Sequence, residues 1–557
     1  MSNLHLPFWP KHAPQHLWVP ETSLYDNLEV AAARFPAKPF IIFYDTVTSY
    51  RRFHQETERV AGYLQQACGV KKGDRVLLYL QNSPQFMTAF YGILRADAVV
   101  VPVNPMNLTN ELRHYLHDSG AKVAFAAQEL YPRLQPLLAE GLEHVIVAAY
   151  SDALEAPTDL QVPEFVAAPR LPVSDAGAVA WADMMAAGRL PAPMQAGPDD
   201  LAVMPYTSGT TGQPKGCMHT HRTTMYNAVA GGLWAQAHQG SVGLAVLPLF
   251  HVTGMQANLN GAIYNGGTVV VLPRWDRDAA AECVQRYRVT SMALITAMVI
   301  DFMGNPRLGG YDLSSLRSVG GGGAAMPKAV ALAMERQLAI KYREGYGMSE
   351  TMAATHSNPP ERPKAQCLGV PLFDVDARVV EPGGTRELPP GQTGEIVVHG
   401  PQVMRGYWNQ PQASAEVFVE IDGKRFLRTG DLACVDEEGY FFFVDRLKRM
   451  INAAGFKVWP AEVEAMLYHH PAVQEACVIA ARDPRRGETV KAVVVLKPGH
   501  AGKVSAQDIT DWAYDNMAAY KVPRIVQFVD SLPRSGAGKV MWRALQDAES
   551  PPPGPST

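Results

Sequence analysis

Short apolar runs alternate with amphipathic stretches from residue 75 onward, and this rhythm limits the fold more than any other feature of the chain. Arg75-Val-Leu-Leu-Tyr-Leu80 has the continuous apolar character of a buried strand. Ser83 followed by Pro84 marks a helix start, and the spacing predicts a helix to about residue 96. Residues 98–102 read as the next strand, 109–117 as the next helix and 122–126 as a third strand. Strands separated by helices pair in parallel, because the crossover returns the chain to the same end of the sheet. The expected fold class is therefore α/β, with doubly wound sheets. A strand at 267–272 and a helix at 279–288 continue the rhythm.

The pattern changes further along. Near 394–398 and 440–444 it turns to hairpins and antiparallel strands, which predicts a β-barrel-like subdomain, with Phe441 to Phe443 in a packed strand. Residues 150–198, rich in Pro, Ala and Asp, read as a surface excursion. Past Lys448 comes a separate α+β block. Helices are expected at 461–468 and 506–517, and strands at 475–480 and 491–496. The expected division is a large N-terminal domain over 1–447, a small C-terminal domain over 448–549 and a disordered tail over 550–557. A chain of 557 residues has ample length for this.

Charge and cysteine content exclude several function classes. Fifty basic residues against 54 acidic ones leave a net charge of −4, which supplies no footprint for nucleic acid. The six cysteines have neither Cys-x-x-Cys pairing nor zinc spacing, so reduced thiols in a cytoplasmic protein are expected. The first residues lack a basic stretch followed by an apolar core, and no apolar run reaches the roughly 20 residues of a spanning helix. Peripheral contact with a membrane and a homodimer both stay open.

The most informative local stretch is Tyr206-Thr-Ser-Gly-Thr-Thr-Gly-Gln-Pro-Lys-Gly216. Gly209, Gly212 and Gly216 allow backbone amides to approach an anion, while Thr207, Ser208, Thr210 and Thr211 add hydroxyl donors. Lys215 adds a mobile positive charge. The apolar run before Tyr206 reads as a strand, so the loop leaves a sheet, where α/β folds bind nucleotides. Gly216 follows Lys215 where a Walker A loop needs Ser or Thr, so this is a polyphosphate loop of another kind.

Further motifs follow in order: Pro248-Leu-Phe-His-Val-Thr-Gly254, Glu344-Gly-Tyr-Gly-Met-Ser-Glu-Thr351, Arg428-Thr-Gly-Asp431, Asp445-Arg-Leu-Lys-Arg-Met-Ile451 with Gly455-Phe-Lys-Val-Trp-Pro-Ala-Glu462, and Pro533-Arg-Ser-Gly-Ala-Gly-Lys539. In their order and spacing, across nearly the whole chain, they resemble the adenylate-forming superfamily of acyl-CoA synthetases, luciferases and nonribosomal adenylation domains. The resemblance implies an acid–thiol ligase. A carboxylate attacks the α-phosphate of ATP, pyrophosphate leaves, and the thiol of coenzyme A then displaces AMP.

The same resemblance implies a role for each matching residue. Glu350, with Thr207, holds Mg2+, and Thr351 meets the α-phosphate. Tyr346 stacks on adenine between Gly345 and Gly347, and Gly322 passes its backbone beside the base. Asp431 accepts the ribose hydroxyls and Arg446 contacts ribose or phosphate. Lys539 bridges the substrate carboxylate and the α-phosphate in the first half-reaction. His251 closes the carboxylate end of the acyl pocket. Lys448 is the hinge on which the small domain turns, where many relatives carry Asp, and Gly455 lines the pantetheine tunnel. Met255, Thr296 and Met298 are expected in the acyl pocket, whose apolar character suits an alkyl or aryl tail. A medium- to long-chain fatty acid is the expected substrate, resembling bacterial fatty acid–CoA ligases. An aryl or short branched acid is the alternative, as is an adenylating enzyme with another acceptor.

Overall fold

The structure, a computed structural model, describes residues 4–207, 213–323, 326–453, 456–483, 487–534 and 540–549. Two compact units divide it, one formed by 3–376 with 398–427, the other by 377–397 with 428–557.

The larger unit is built on two sheets that run mostly parallel. The seven-stranded sheet holds Arg75–Tyr79 at its centre, with Val99–Pro102 on one side and Val123–Ala127 on the other, both parallel to it. The helix between the first two runs over Pro84–Arg95, capped by the Ser83 hydroxyl, which accepts the N–H of Phe86. All twelve residues of that helix are buried. A helix wet on one face needs a polar stripe, and this one lacks it because protein covers it all round.

The expected surface excursion at 150–198 is corrected in one part. Ala178–Ala180 joins the seven-stranded sheet as a parallel edge strand, and the following helix Trp181–Ala186 buries Trp181 and Met184. Three-residue strands carry too little periodicity to be legible in a Pro- and Ala-rich background.

The nine-stranded sheet carries Val242–Ala245, Ser291–Ala293, Ser318–Gly321 and Arg343–Met348 as successive parallel neighbours. Its far edge turns antiparallel through Ala353–Ser357. At the opposite edge Pro39–Phe43 pairs in parallel with Thr268–Val271, and Thr46–Ser49 adds antiparallel to it as the last strand. Asn82, just past the central strand of the first sheet, donates its amide to Leu247 O at 2.9 Å and accepts Leu249 N–H at 2.8 Å. One side chain thus fixes the carboxyl end of one sheet to that of the other.

In the smaller unit, Lys424–Val435 contributes its second half to an antiparallel ladder with Phe441–Arg446. Beyond it, Val473–Asp483 and Gly487–Leu496 form a long hairpin, with Ile525–Phe528 added in parallel. Ile451, Val463, Leu467, Val478, Val494 and Ile509 form the heart of its apolar core.

Candidate active site

The phosphate loop grows from a minimal hairpin in the larger unit. Thr207 pairs with Lys215 and Tyr206 with Gly216. Tyr206 is pinned from below, its hydroxyl donating to Asp118 at 2.6 Å and its ring lying 4.4 Å from that of Tyr115. Ser208, Gly209, Thr210, Thr211 and Gly212 lie outside the described residues. The two ends of the loop are therefore fixed by strand pairing and by a half-buried tyrosine.

Lys215 leads to the next predicted residue. Its ammonium lies 5.1 Å over the ring of Tyr407, and the Tyr407 hydroxyl donates to the Glu350 carboxylate at 2.8 Å. The three side chains form a line from the loop's lysine to the expected metal ligand. Tyr407 was not singled out by sequence reasoning, because an aromatic near Pro and Gly gives no local signal. Burial and the neighbouring Glu350 push its hydroxyl well above the usual tyrosine range, so it stays a donor.

Glu350 sits on a single turn, Ser349–Thr351, and is 7% exposed. Three contacts hold that turn. The Glu350 carbonyl accepts Met404 N–H at 2.8 Å. His219 Nε2 lies 2.8 Å from Ser349 O, and since a carbonyl only accepts, that nitrogen carries the proton. Burial holds His219 down at about 4, so the ring is neutral at physiological pH. Asn227 donates to Thr351 O at 3.0 Å and Met352 O at 2.7 Å. Met352 and Ala353 follow at φ 46° and 88°, a region side chains rarely adopt, and the Asn227 amide is what holds part of this bend.

Thr351 is fully buried. Its hydroxyl lies 2.7 Å from Ala353 O, to which it donates, and accepts Met348 N–H at 3.0 Å. In this arrangement it orders the turn that presents Glu350.

Tyr346 lies on Arg343–Met348 with its ring edge-on to His356 at 5.7 Å. The neighbouring glycines have a structural cause as well as a functional reading. A β-carbon on Gly347 would stand 1.7 Å from Ala353 O, and one on Gly322 would stand 2.4 Å from Gly345 O. Gly345 itself would meet His356 O at 3.1 Å.

His251 is exposed and caps the helix Val252–Met255, its Nδ1 accepting Thr253 N–H at 3.3 Å. Met255, at the end of that helix, is fully buried. Thr296 is buried at the start of Thr296–Met303 and within hydrogen-bond reach of the Tyr342 hydroxyl, which donates to Leu294 O at 2.8 Å. Met298 is half-buried on the same helix.

The smaller unit carries the remaining described site residues. Asp431 is 4% exposed and pairs across the ladder with Arg446, whose Nε lies 3.0 Å from its carboxylate. The turn before it is braced by Glu395, which accepts Arg428 at 2.6 Å and Gly430 N–H at 3.3 Å. Lys448 is exposed on the short turn Leu447–Arg449. Just before it, the buried Asp445 carboxylate accepts N–H groups of Arg446 and Ala461, each at 2.6 Å. Gly455 and Lys539 lie outside the described residues.

Comparison with known proteins places this geometry. The model of the AMP-binding enzyme family matches residues 28–408, and that of the AMP-binding enzyme C-terminal domain matches residues 462–539. The chain is 34% identical over 552 residues to a long-chain-fatty-acid–CoA ligase of Bacillus subtilis, covering 97% of each. It is 36% identical over 501 residues to a feruloyl-CoA synthase of Amycolatopsis, covering 89% of this chain and 93% of that one. Among solved structures, ATP-bound MatB from Rhodopseudomonas palustris superposes with a TM-score of 0.82 at 27% identity, over 94% of this chain and 98% of that one. The chain belongs to the AMP-binding enzyme family. Within that family it is an acyl-CoA ligase. No helix among the described residues is long and apolar enough to cross a membrane.

Proposed function

We propose that the chain joins a medium- to long-chain fatty acid to coenzyme A by way of an acyl-adenylate. A carboxylate oxygen attacks the α-phosphorus of ATP, the bond to the pyrophosphate oxygen breaks, and the CoA sulfur then displaces AMP. The observation that carries this reading is the line from Lys215 through Tyr407 to Glu350 at the base of the phosphate hairpin. Charge and donors gathered at the departing phosphates are what such a displacement needs, and they act before the reaction begins.

Glu350 offers a hard carboxylate oxygen, which suits Mg2+, an ion held by one or two carboxylates together with phosphate and water oxygens. With Thr207 beside it, Glu350 would hold that ion, which when bound spreads the negative charge of the phosphates. The hydroxyls and amides of 207–212, with Lys215, receive the departing pyrophosphate. Tyr346, between Gly345 and Gly347 and beside Gly322, stacks on the adenine. Thr351 keeps the Glu350 turn in place. Asp431 accepts the ribose hydroxyls, with Arg446 orienting its carboxylate. Lys539 neutralises the carboxylate and α-phosphate as they meet. Lys448 is the hinge between the half-reactions, and Gly455 leaves room for the pantetheine arm. His251 closes the pocket at the carboxylate end, above Met255, Thr296 and Met298.

Support for a fatty acid comes from the apolar character of the segments that hold Met255 and Met298 and from the name of the Bacillus relative. An aryl acid is the second reading, supported by the likeness to the feruloyl-CoA synthase. The test is AMP and acyl-CoA formation from ATP, Mg2+ and CoA across free acids from acetate to oleate, with benzoate and ferulate included. An optimum among the fatty acids is expected. An optimum among the aryl acids would replace the first reading by the second, and AMP without thioester would assign another acceptor.

A further inference from the structure

The phosphate hairpin has two strand pairs, Thr207 with Lys215 and Tyr206 with Gly216. A ribbon that short does not hold its own shape in water, so its braces decide where Thr207 and Lys215 stand. The helix Thr109–Ser119, in the same unit, braces both arms. On the arm that enters the loop, the Tyr206 hydroxyl donates to the Asp118 carboxylate at 2.6 Å. Burial and that carboxylate push the hydroxyl well above the usual tyrosine range, so it remains the donor. On the arm that leaves, Pro214 has no N–H to give a ladder, and its carbonyl lies 2.7 Å from His114 Nε2. A carbonyl only accepts, so that nitrogen carries the proton and donates it. The His114 ring also meets the Tyr206 ring edge-on at 6.1 Å. His114 and Asp118 stand at i and i+4, on one face of the helix and about 6 Å apart along its axis.

That helix is itself held at its carboxyl end, where the last carbonyls lack partners within the helix. Asp118 O accepts the Trp408 indole N–H at 3.0 Å, and Ser119 O accepts Arg75 Nε–H at 2.7 Å. Arg75 begins the central strand of the seven-stranded sheet, and its guanidinium lies 5.1 Å over the Trp408 ring. Trp408 follows Tyr407, whose hydroxyl donates to Glu350. The hairpin and the Glu350 turn therefore share one support rooted in the sheet.

We propose that His114 and Asp118 are positioning residues for the β- and γ-phosphates of ATP. They act through the two hairpin arms, whose placement one helical turn sets, and not by contact with the nucleotide. The inference rests on the reading that Thr207 and Lys215 serve those phosphates.

The test is equilibrium binding of MgATP, of pyrophosphate with Mg2+ and of AMP to the full chain, without acid or CoA. His114→Phe keeps a ring and loses the donor, and Asp118→Ala loses the acceptor. In each, Kd for MgATP and for pyrophosphate is expected to rise about fivefold or more, the scale of one hydrogen bond. Kd for AMP, which has neither outer phosphate, should stay within about twofold of native. His114→Gln and Asp118→Asn keep a donor and an acceptor, and should bind MgATP within about twofold of native. If one of the disruptive variants melts below the assay temperature, the other decides. Native MgATP affinity in the variants that lose the donor or acceptor would overturn the proposal. So would a loss shared equally by AMP, or one that the conservative variants show as well, since either marks a general structural role. Lys215→Ala, run alongside, separates the proposal from the reading beneath it. Weaker MgATP binding in that variant, with native affinity in the other two, would remove the positioning role alone. Native affinity in all three would remove the phosphate reading of the hairpin too.

Discussion

Glu350 receives one O–H from Tyr407, and much of the site's order passes through that contact. Tyr407→Phe removes a hydrogen bond to a charged group and leaves the ring under Lys215. Such bonds contribute about 1.5–3 kcal/mol to the folded state, so the variant should melt lower, and kcat/KM for MgATP should fall about tenfold or more as the Glu350 carboxylate loses its orientation. Steady-state kinetics on the variant checks this, and an unaltered kcat/KM would remove Tyr407 from the site. Glu344 makes a second residue-scale prediction. It is 6% exposed, and burial raises its carboxyl to about 7 against an ordinary value of 4.5. A raised carboxyl stabilises the fold below 4.5 and loses that contribution as pH climbs through about 7. Glu344→Gln should therefore abolish one declining component of stability between pH 5 and 7.5, seen as a smaller melting-temperature loss over that range. Glu350 and Asp431 stand out in the sequence because they lie in short contiguous motifs that resemble those of the family. Their supports, Tyr407, His219, Asn227 and Glu395, do not. Each reaches its partner across the fold, and nothing local in the chain records that.

At the level of elements, the strand–helix rhythm of 75–126 translated into structure because each segment has a strong local cause. Ser83 and Pro84 start a helix, and unbroken apolar runs make buried parallel strands. The hairpin from Arg343 to Ser357 is harder to read. Its glycines look like a ligand loop in sequence, whereas Gly347 is also demanded by a backbone carbonyl 1.7 Å from where a β-carbon would stand. Gly347→Ala must push the two strands apart. The expected result is a loss of about 3 kcal/mol or more of stability, with AMP formation lost alongside, measured by denaturant unfolding and by turnover. A variant with native stability and lost activity would mean that the glycine serves the ligand alone. The short strand at 178–180 had no signal at all, since it depends on what packs against it.

For the whole molecule, buried histidines set the acid limit. Burial holds His5, His219 and His221 at about 4 and His356 at about 3, below an ordinary 6.5. Groups with lowered values stabilise the fold above 6.5, and that contribution is lost as pH falls through their folded values. Unfolding between pH 4.5 and 6.5 thus takes up protons at four histidines and releases one at Glu344, so stability should fall with acidification. Thermal melts from pH 7.5 to 5 check the sign, and a rising melting temperature would contradict it. Above these terms stands the chemistry, a ligase that activates its acid on ATP before the thiol enters. Acid-dependent exchange of labelled pyrophosphate into ATP, run without CoA, measures that first step alone. Exchange that needs the acid and Mg2+ and is lost in Lys539→Ala is the predicted result. No exchange until CoA is added, or release of ADP and phosphate in place of AMP, would contradict the account.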